Sequence, residues 1–215
     1  MDVILASNSP RRQQLLGLTG LGFCVQPADV DETPFDAEPA NEYVQRLAAN
    51  KARAVGTQMA SDSLVIAADT TVVDGNKILG KPVDNEDAAR MLRQLRGRTH
   101  QVYTAVAVLR NAKLFVECCD TDVPMRNYSN AEMQAYIESG DPLDKAGAYA
   151  IQHPGFRPVE NLQGCYANVV GLPLCHLVRA LRKFSIELTA DIPSACQSTL
   201  GYECPIYEAL LQSER

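Results

Sequence analysis

The run Leu64-Val65-Ile66-Ala67-Ala68-Asp69-Thr70-Thr71-Val72-Val73 limits the fold of this chain more than any other stretch. It closes on Asp74-Gly75, and a second apolar segment, Lys77-Ile78-Leu79, follows at once. Asp-Gly between apolar runs is the strongest short-range signal for a β-hairpin. The first arm therefore reads as a core strand, with one residue out of place. Asp69 is costly among apolar neighbours unless it is paired, capped or bound to a metal. A hydrogen-bonded strand-end carboxylate is one reading. A divalent-metal ligand or general base at the end of a core strand is the other.

Around this hairpin the pattern alternates between strand and helix. Val3 to Ala6 reads as a short strand, followed by a helix carrying Leu15 and Leu16. Phe23 to Gln26 reads as a second strand, leading into an acidic, proline-rich loop that ends near Pro39. A long helix is expected over 41–59, with Val44, Leu47, Ala48 and Val55 at helical spacing. Residues 85–96 form a helix stopped by Gly97. Strands follow at 101–109 and 113–123, joined at Asn111, then a helix at 130–138 ending at Gly140. The apolar segments 146–152 and 165–170 both predict buried strands, and 174–184 a closing helix begun by Pro173. After Phe184 the periodicity weakens, so 185–215 is expected to be an extension with only a short helical end.

Composition narrows the class of partner. At 215 residues the chain suits one sizeable domain. The formal charge is -6, and a nucleic-acid groove normally brings a basic surplus instead. A small anionic substrate fits better, gripped by a local basic cluster. No apolar run reaches the roughly 18 residues of a membrane span, and MDVILASNSPRR lacks the pattern of a secretory signal. The expected location is the cytoplasm. The seven cysteines form no disulfide framework and no CxxC, so they read as buried thiols, including Cys24, Cys165 and Cys175. The three histidines have no metal-ligand spacing.

Ser7-Asn8-Ser9-Pro10-Arg11-Arg12 sits between a strand and a helix. Ser9 suits an N-cap and Pro10 the first helical position. A helix N-terminus presents free N–H groups and positive potential to an anion, and two arginines add bidentate phosphate donors. Cations at a helix start oppose its dipole, a local conflict that points to function; a plain capped helix is the equal alternative. Lys51 lies on the apolar stripe of its helix, where a snorkelling lysine is the ordinary reading. Lys81, in Gly80-Lys81-Pro82, is by default a solvated loop cation. Asp31 and Glu32 belong to an acidic loop that is usually a solvated face, although close carboxylates also suit Mg²⁺. No GxxxxGK[ST], GxGxxG or GxSxG motif is present, which disfavours P-loop, dinucleotide-binding and α/β-hydrolase chemistry.

In order along the chain, Ser7–Arg12, Asn50-Lys51-Ala52, Ala68-Asp69-Thr70, Gly80-Lys81-Pro82, Asp144–Gln152 and Tyr166–Pro173 resemble the blocks of the Maf family of nucleotide pyrophosphatases. The likeness covers 3–184, so a Maf-like domain over 1–184 and a C-terminal extension over 185–215 are expected. It implies an α/β fold: an elongated, curved, mixed but mostly antiparallel sheet flanked by helices, with a cleft between two lobes. It also implies hydrolysis of a nucleoside triphosphate between its α- and β-phosphates, with a divalent cation, Mg²⁺ or otherwise Mn²⁺ or Co²⁺.

By position, Asp69 matches the family's catalytic acid, taken to activate water. Ser7, Arg11, Arg12, Lys51 and Lys81 match its phosphate-binding residues, and Glu32 joins Asp69 on the metal side. The run 145–152 looks like the dTTP/UTP subgroup, with Arg12, Thr70 and Gln152 at positions tied to substrate choice. His153-Pro154 departs from the subgroup, which has glycine after the glutamine. Family members are often homodimers, and the implied role is removal of modified pyrimidine nucleotides. Two alternatives stand beside this: an enzyme for 7-methyl-GTP or another modified nucleotide, and a nucleotide-binding regulator of septum formation without turnover.

Overall fold

The computed structural model describes residues 1–212 and builds them around the Leu64 strand. The elements are β1 (Val3–Leu5), α1 (Pro10–Gly17), β2 (Cys24–Val25), α2 (Ala40–Gly56), β3 (Leu64–Asp74), β4 (Lys77–Leu79), α3 (Asn85–Leu95), β5 (Thr99–Arg110), β6 (Lys113–Pro124) and α4 (Asn130–Glu138). Two short 3₁₀ turns (Asp141–Asp144, Ala146–Ala148) follow, then α5 (Tyr166–Val170), α6 (Leu174–Arg182), α7 (Ile192–Leu200) and α8 (Tyr207–Gln212). The strands form one sheet in the order β2-β1-β3-β5-β6, with β4 also on β3. β1 runs parallel to β2 and β3, and the other pairs are antiparallel. The sheet is thus mixed and mostly antiparallel, with helices on both faces.

One edge of β3 pairs with β5 continuously from Val65 to Val73. The opposite edge is shared. β1 takes Leu64 to Ile66 and β4 takes Val72 to Asp74. Between them, 67–71 have no strand neighbour on that side among the described residues. Asp69 and Thr70 lie in this break.

Three hydrophobic cores surround the break. On one face, Val44, Leu47, Ala48 and Val55 of α2 bury against Ala67, Ala105 and Ala107. On the other, Leu15 and Leu16 of α1 join Ile66, Val106, Leu172 and Leu177. The third core lies toward the hairpin end, where Leu92 of α3 and Tyr136 of α4 meet Val72 and Val102.

Three expectations of secondary structure are corrected. Residues 146–152 form no strand. Gly147 and Ala148 both have positive φ, +69° and +61°, and two left-handed residues in succession cannot continue an extended chain. Gly147 is needed there, because a Cβ would lie 2.9 Å from the Val72 side chain. Residues 165–170 give the helix α5, ended by Gly171 at φ +117°; a short apolar run cannot be told from a strand by periodicity alone. Beyond Phe184 the chain forms two helices rather than one short end. Asp191 caps α7 by accepting from the Ser194 amide at 3.2 Å, and Ile192 is buried in the α1–α6 core.

Cys24 is exposed, not buried, because β2 is a two-residue edge strand. Among the described residues no helix is long and apolar enough to cross a membrane.

Candidate active site

A cavity of about 430 Å³ opens at the break in the β3 edge. Its walls come from the start of α1, from α2, β3 and the loop after β4, from the 3₁₀ segment, and from α5.

The α1 wall is as its sequence demands. The Ser9 side chain caps the helix by accepting from the Arg12 amide at 3.5 Å, and Pro10 occupies the first turn. No acidic residue lies in that turn, so the dipole is left for an anion rather than satisfied locally. Arg11 and Arg12 both line the cavity. Arg12 is bound on three sides. Its Nε donates to the Gly171 carbonyl at 2.9 Å, Nη2 to Thr70 Oγ1 at 3.0 Å, and Nη1 to Ser7 Oγ at 3.3 Å. Burial pushes the Arg12 pKa down, against the pull of the Asp69 charge. Gly171 makes the first contact available, since a Cβ there would meet Thr70 Oγ1 at 3.3 Å and Arg12 Nε at 3.5 Å.

Behind Thr70 lies Asp69, buried, with 9% of its side chain exposed. Lys51 Nζ sits 2.6 Å from Asp69 Oδ1 and 2.6 Å from Glu32 Oε1. Lys51 does not snorkel to water; its head is buried between two carboxylates. Burial raises the Asp69 pKa, with the charges of Lys51 and Arg12 opposing. For Glu32 burial acts in the same sense, but Lys51, Lys81 and Arg12 outweigh it and leave its carboxyl below the usual value. Glu32, Lys51 and Thr70 line the cavity directly, and Asp69 adjoins it through its contact with Lys51.

The acidic loop is held in place by α2. The Tyr43 hydroxyl donates to the Glu32 carbonyl at 2.9 Å, and Arg46 binds the Thr33 carbonyl and the Glu38 carboxylate. Asp31 is spent locally, accepting from the Thr33 amide at 2.9 Å. It stays outside the cavity wall.

Asp69 and Glu32, brought to one shared cation, offer hard oxygen donors, and no third His, Cys, Asp or Glu completes a cluster among the described residues. Two carboxylates with the remaining positions left to water and phosphate are what Mg²⁺ accepts. The donor set fits such an ion.

Lys81, Lys145 and the run 149–152 complete the lining. The Gly147 amide donates to the Gly80 carbonyl at 3.0 Å, tying this segment to the Lys81 loop. The Tyr136 hydroxyl donates to Asp141 and accepts from the Ala150 amide, at 2.7 and 2.9 Å. Lys145 is buried and paired with Asp141 and Asp144. Gln152 lines the cavity, whereas His153 does not; its Nδ1 accepts from the Phe156 amide at 2.9 Å and closes a turn behind the wall.

Residues 2–184 match the sequence profile of the family described as Maf-like protein. The chain belongs to that family. Its relatives include a dTTP/UTP pyrophosphatase of Anaeromyxobacter dehalogenans (strain 2CP-C), 47% identical over 89% of this chain and 98% of that one. A dTTP/UTP pyrophosphatase of Pelotomaculum thermopropionicum is 48% identical over 87% of this chain and 98% of its own. A third, from Thermomicrobium roseum, is 43% identical over 99% and 97%. Likeness to solved structures is slighter. A dITP/XTP pyrophosphatase from Mycobacterium abscessus is 15% identical, with a TM-score of 0.44 over 86% of this chain and 95% of that one.

In this Maf-like chain Ser7, Arg11, Arg12, Glu32, Lys51, Thr70, Lys81 and Gln152 all lie on the cavity wall, whereas Asp31 and Asp69 do not, and Asp69 adjoins the wall through its ion pair with Lys51. Sequence reasoning missed the groups that hold them: Tyr43 under Glu32, Tyr136 under Ala150, and Thr104, which lies 2.9 Å from Thr70 Oγ1 and donates to the Asn168 carbonyl at 2.8 Å. Thr104 carried a readable signal, a hydroxyl within the apolar run Val102–Leu109, the same anomaly that marked Asp69.

Proposed function

We propose that this Maf-like chain hydrolyses dTTP or UTP between the α- and β-phosphates, releasing the nucleoside monophosphate and pyrophosphate. One observation carries the reading: a buried carboxylate, Asp69, held by Lys51 at the base of a cleft that also presents Arg11, Arg12 and Lys81. The curated relatives bear the same activity in their names.

In this reading Arg11, Arg12, Lys81 and the Ser7 hydroxyl receive the triphosphate, neutralising charge on its equatorial oxygens. The phosphates give the Lys51 ammonium a competing anion, which uncovers Asp69. Burial raises the Asp69 pKa toward the working range of a general base. Its carboxylate takes a proton from water as the new oxygen–phosphorus bond forms at the α-phosphate. The bond from that phosphorus to the bridging oxygen breaks, and pyrophosphate leaves with the electron pair. Asp69 and Glu32 would hold a divalent cation, which when bound supplies charge neutralisation on the triphosphate. Gln152 supplies an amide, donor and acceptor together, to a pyrimidine edge.

Pyrophosphate release from single nucleotides with Mg²⁺ tests the reading. dTTP and UTP should lead dATP, dGTP and 7-methyl-GTP in kcat/KM. A clear lead for 7-methyl-GTP overturns the substrate but not the reaction, and no release from any nucleotide overturns both.

A further inference from the structure

The family profile ends at residue 184, yet one side chain beyond it reaches back to the segment that leads into the cleft wall. That side chain is Tyr202. It follows α7, which Gly201 ends in the left-handed region at φ +60°. The Tyr202 amide then donates to the Gln197 carbonyl at 3.2 Å, and Gln197 Oε1 accepts from the Cys204 amide at 2.9 Å. These bonds fold the chain back on its own helix and carry the phenol to residues 162–166. The Tyr202 ring lies 5.5 Å from the Tyr166 ring. Its hydroxyl accepts from the Gly164 amide at 3.2 Å and lies 3.0 Å from the Gly164 carbonyl and 3.1 Å from that of Leu162. A phenol has one proton, which the two carbonyls share. Gly164 is closed in on a second side, since a Cβ there would lie 2.8 Å from the Thr121 side chain.

The helix α5 begins directly after this pinned segment. Five residues make too few internal bonds to hold a helix in water, and Cys165 gives it no side-chain cap. Outside contacts therefore set its place. Asn168 fixes the middle, donating from Nδ2 to the Val102 carbonyl and to Thr121 Oγ1, both at 2.9 Å. Tyr202 fixes the entry. At the far end the Gly171 carbonyl accepts from Arg12 Nε at 2.9 Å, and Val169 and Val170 line the cavity.

We propose that Tyr202 is a positioning residue for triphosphate binding: by pinning Gly164 it sets the entry of α5, and through the Gly171 carbonyl it sets the Arg12 guanidinium. The segment beyond Phe184 is in this way a working part of the site. Tyr202 does not itself line the cavity, so what it contributes passes through α5. The proposal rests on the triphosphate reading above and adds to it a residue from outside the family profile.

Tyr202→Phe keeps the ring and removes the hydroxyl. Calorimetric binding of the non-hydrolysable α,β-methylene analogue of UTP should weaken by about three- to tenfold, with KM for UTP rising in step and kcat changing less. The same substitution made in Arg12→Met should cost almost nothing further, because residues that act through one another are not additive. A merely structural loss would weaken both backgrounds alike. Hydrogen exchange without ligand should be faster at 166–172 in Tyr202→Phe, which reads the clamp apart from activity. Should Tyr202→Phe fail to fold, Gln197→Ala loosens the same tyrosine by a milder change and carries the same comparison. Unchanged analogue binding in the folded variant would overturn the proposal alone, as would equal losses with and without Arg12 or unchanged exchange at 166–172. A wild type that binds no triphosphate analogue would overturn the triphosphate reading and this role with it.

Discussion

Lys51 Nζ lies 2.6 Å from Asp69 Oδ1 and shares that short contact with Glu32 on its other side. One ammonium thus serves two carboxylates at the base of the cleft. Its charge opposes the effect of burial on Asp69. Lys51→Met should let the Asp69 pKa climb further, and a base works only above its pKa. The acid limb of the kcat/KM profile should therefore move to higher pH, by about one unit or more. An acid limb that stays in place would mean that Lys51 does not set the ionisation of the base.

Asp69→Asn preserves the shape of the side chain but removes the proton acceptor. Turnover should fall by on the order of 10²-fold or more, with the fold retained. Circular dichroism checks the fold and pyrophosphate release the rate. Near wild-type turnover in a folded variant would take Asp69 out of the chemistry.

Arg11 and Lys81 both line the cavity. Arg11→Ala and Lys81→Ala should each weaken triphosphate binding and flatten its dependence on salt, because a charged contact to phosphate is lost. Kinetic constants measured across a salt series provide the check. Unchanged values in both variants would place the anion site elsewhere.

Gly171→Ala puts a methyl group at φ +117°, against Thr70 Oγ1 and Arg12 Nε. The strained backbone should cost about 1–3 kcal/mol of stability. The displaced guanidinium should lower kcat/KM as well. Urea unfolding beside steady-state kinetics separates the two effects. A variant of wild-type stability and activity would show that the Arg12–Gly171 contact is dispensable.

Burial lowers the pKa of both His100 and His176 from 6.5 to about 4. The unfolded chain then binds more protons than the native one between those values. Their stabilising contribution is complete above about pH 6.5 and declines as pH falls toward about 4, on the order of 3 kcal/mol each. His100 is also bonded through Nε2 to the Tyr149 hydroxyl at 2.8 Å, so His176 offers the cleaner test. His176→Leu should remove about one proton from the slope of unfolding free energy against pH in that window. An identical slope would show that His176 titrates normally.

The helices and the antiparallel ladder were legible because their signals are local. Asp74-Gly75 dictates the hairpin, and the spacing of Val44, Leu47, Ala48 and Val55 dictates α2. Segments 146–152 and 165–170 were not, since both are short, apolar and aperiodic. Their shape is decided by Gly147 against Val72 and by Gly171 against Arg12, contacts between residues far apart in the chain. The candidate site divides in the same way. Asp69 announced itself by polarity in an apolar strand, and the arginines by opposing their own helix dipole. That Lys51 bridges Asp69 and Glu32 could not be read, because Glu32 is placed by Tyr43 reaching across from α2.

The break in the β3 edge also bears on solubility. An unpaired strand edge is a template for the strand of another chain, and apolar ones are aggregation hazards. Here the open stretch at 67–71 lies between β1 and β4, which already occupy the edge on either side, and Arg12 reaches across it to Thr70. A compact anion can enter that gap. An extended polypeptide, which needs a longer free edge to pair with, finds none. The opening at the candidate site is in this way closed to strand pairing with another chain.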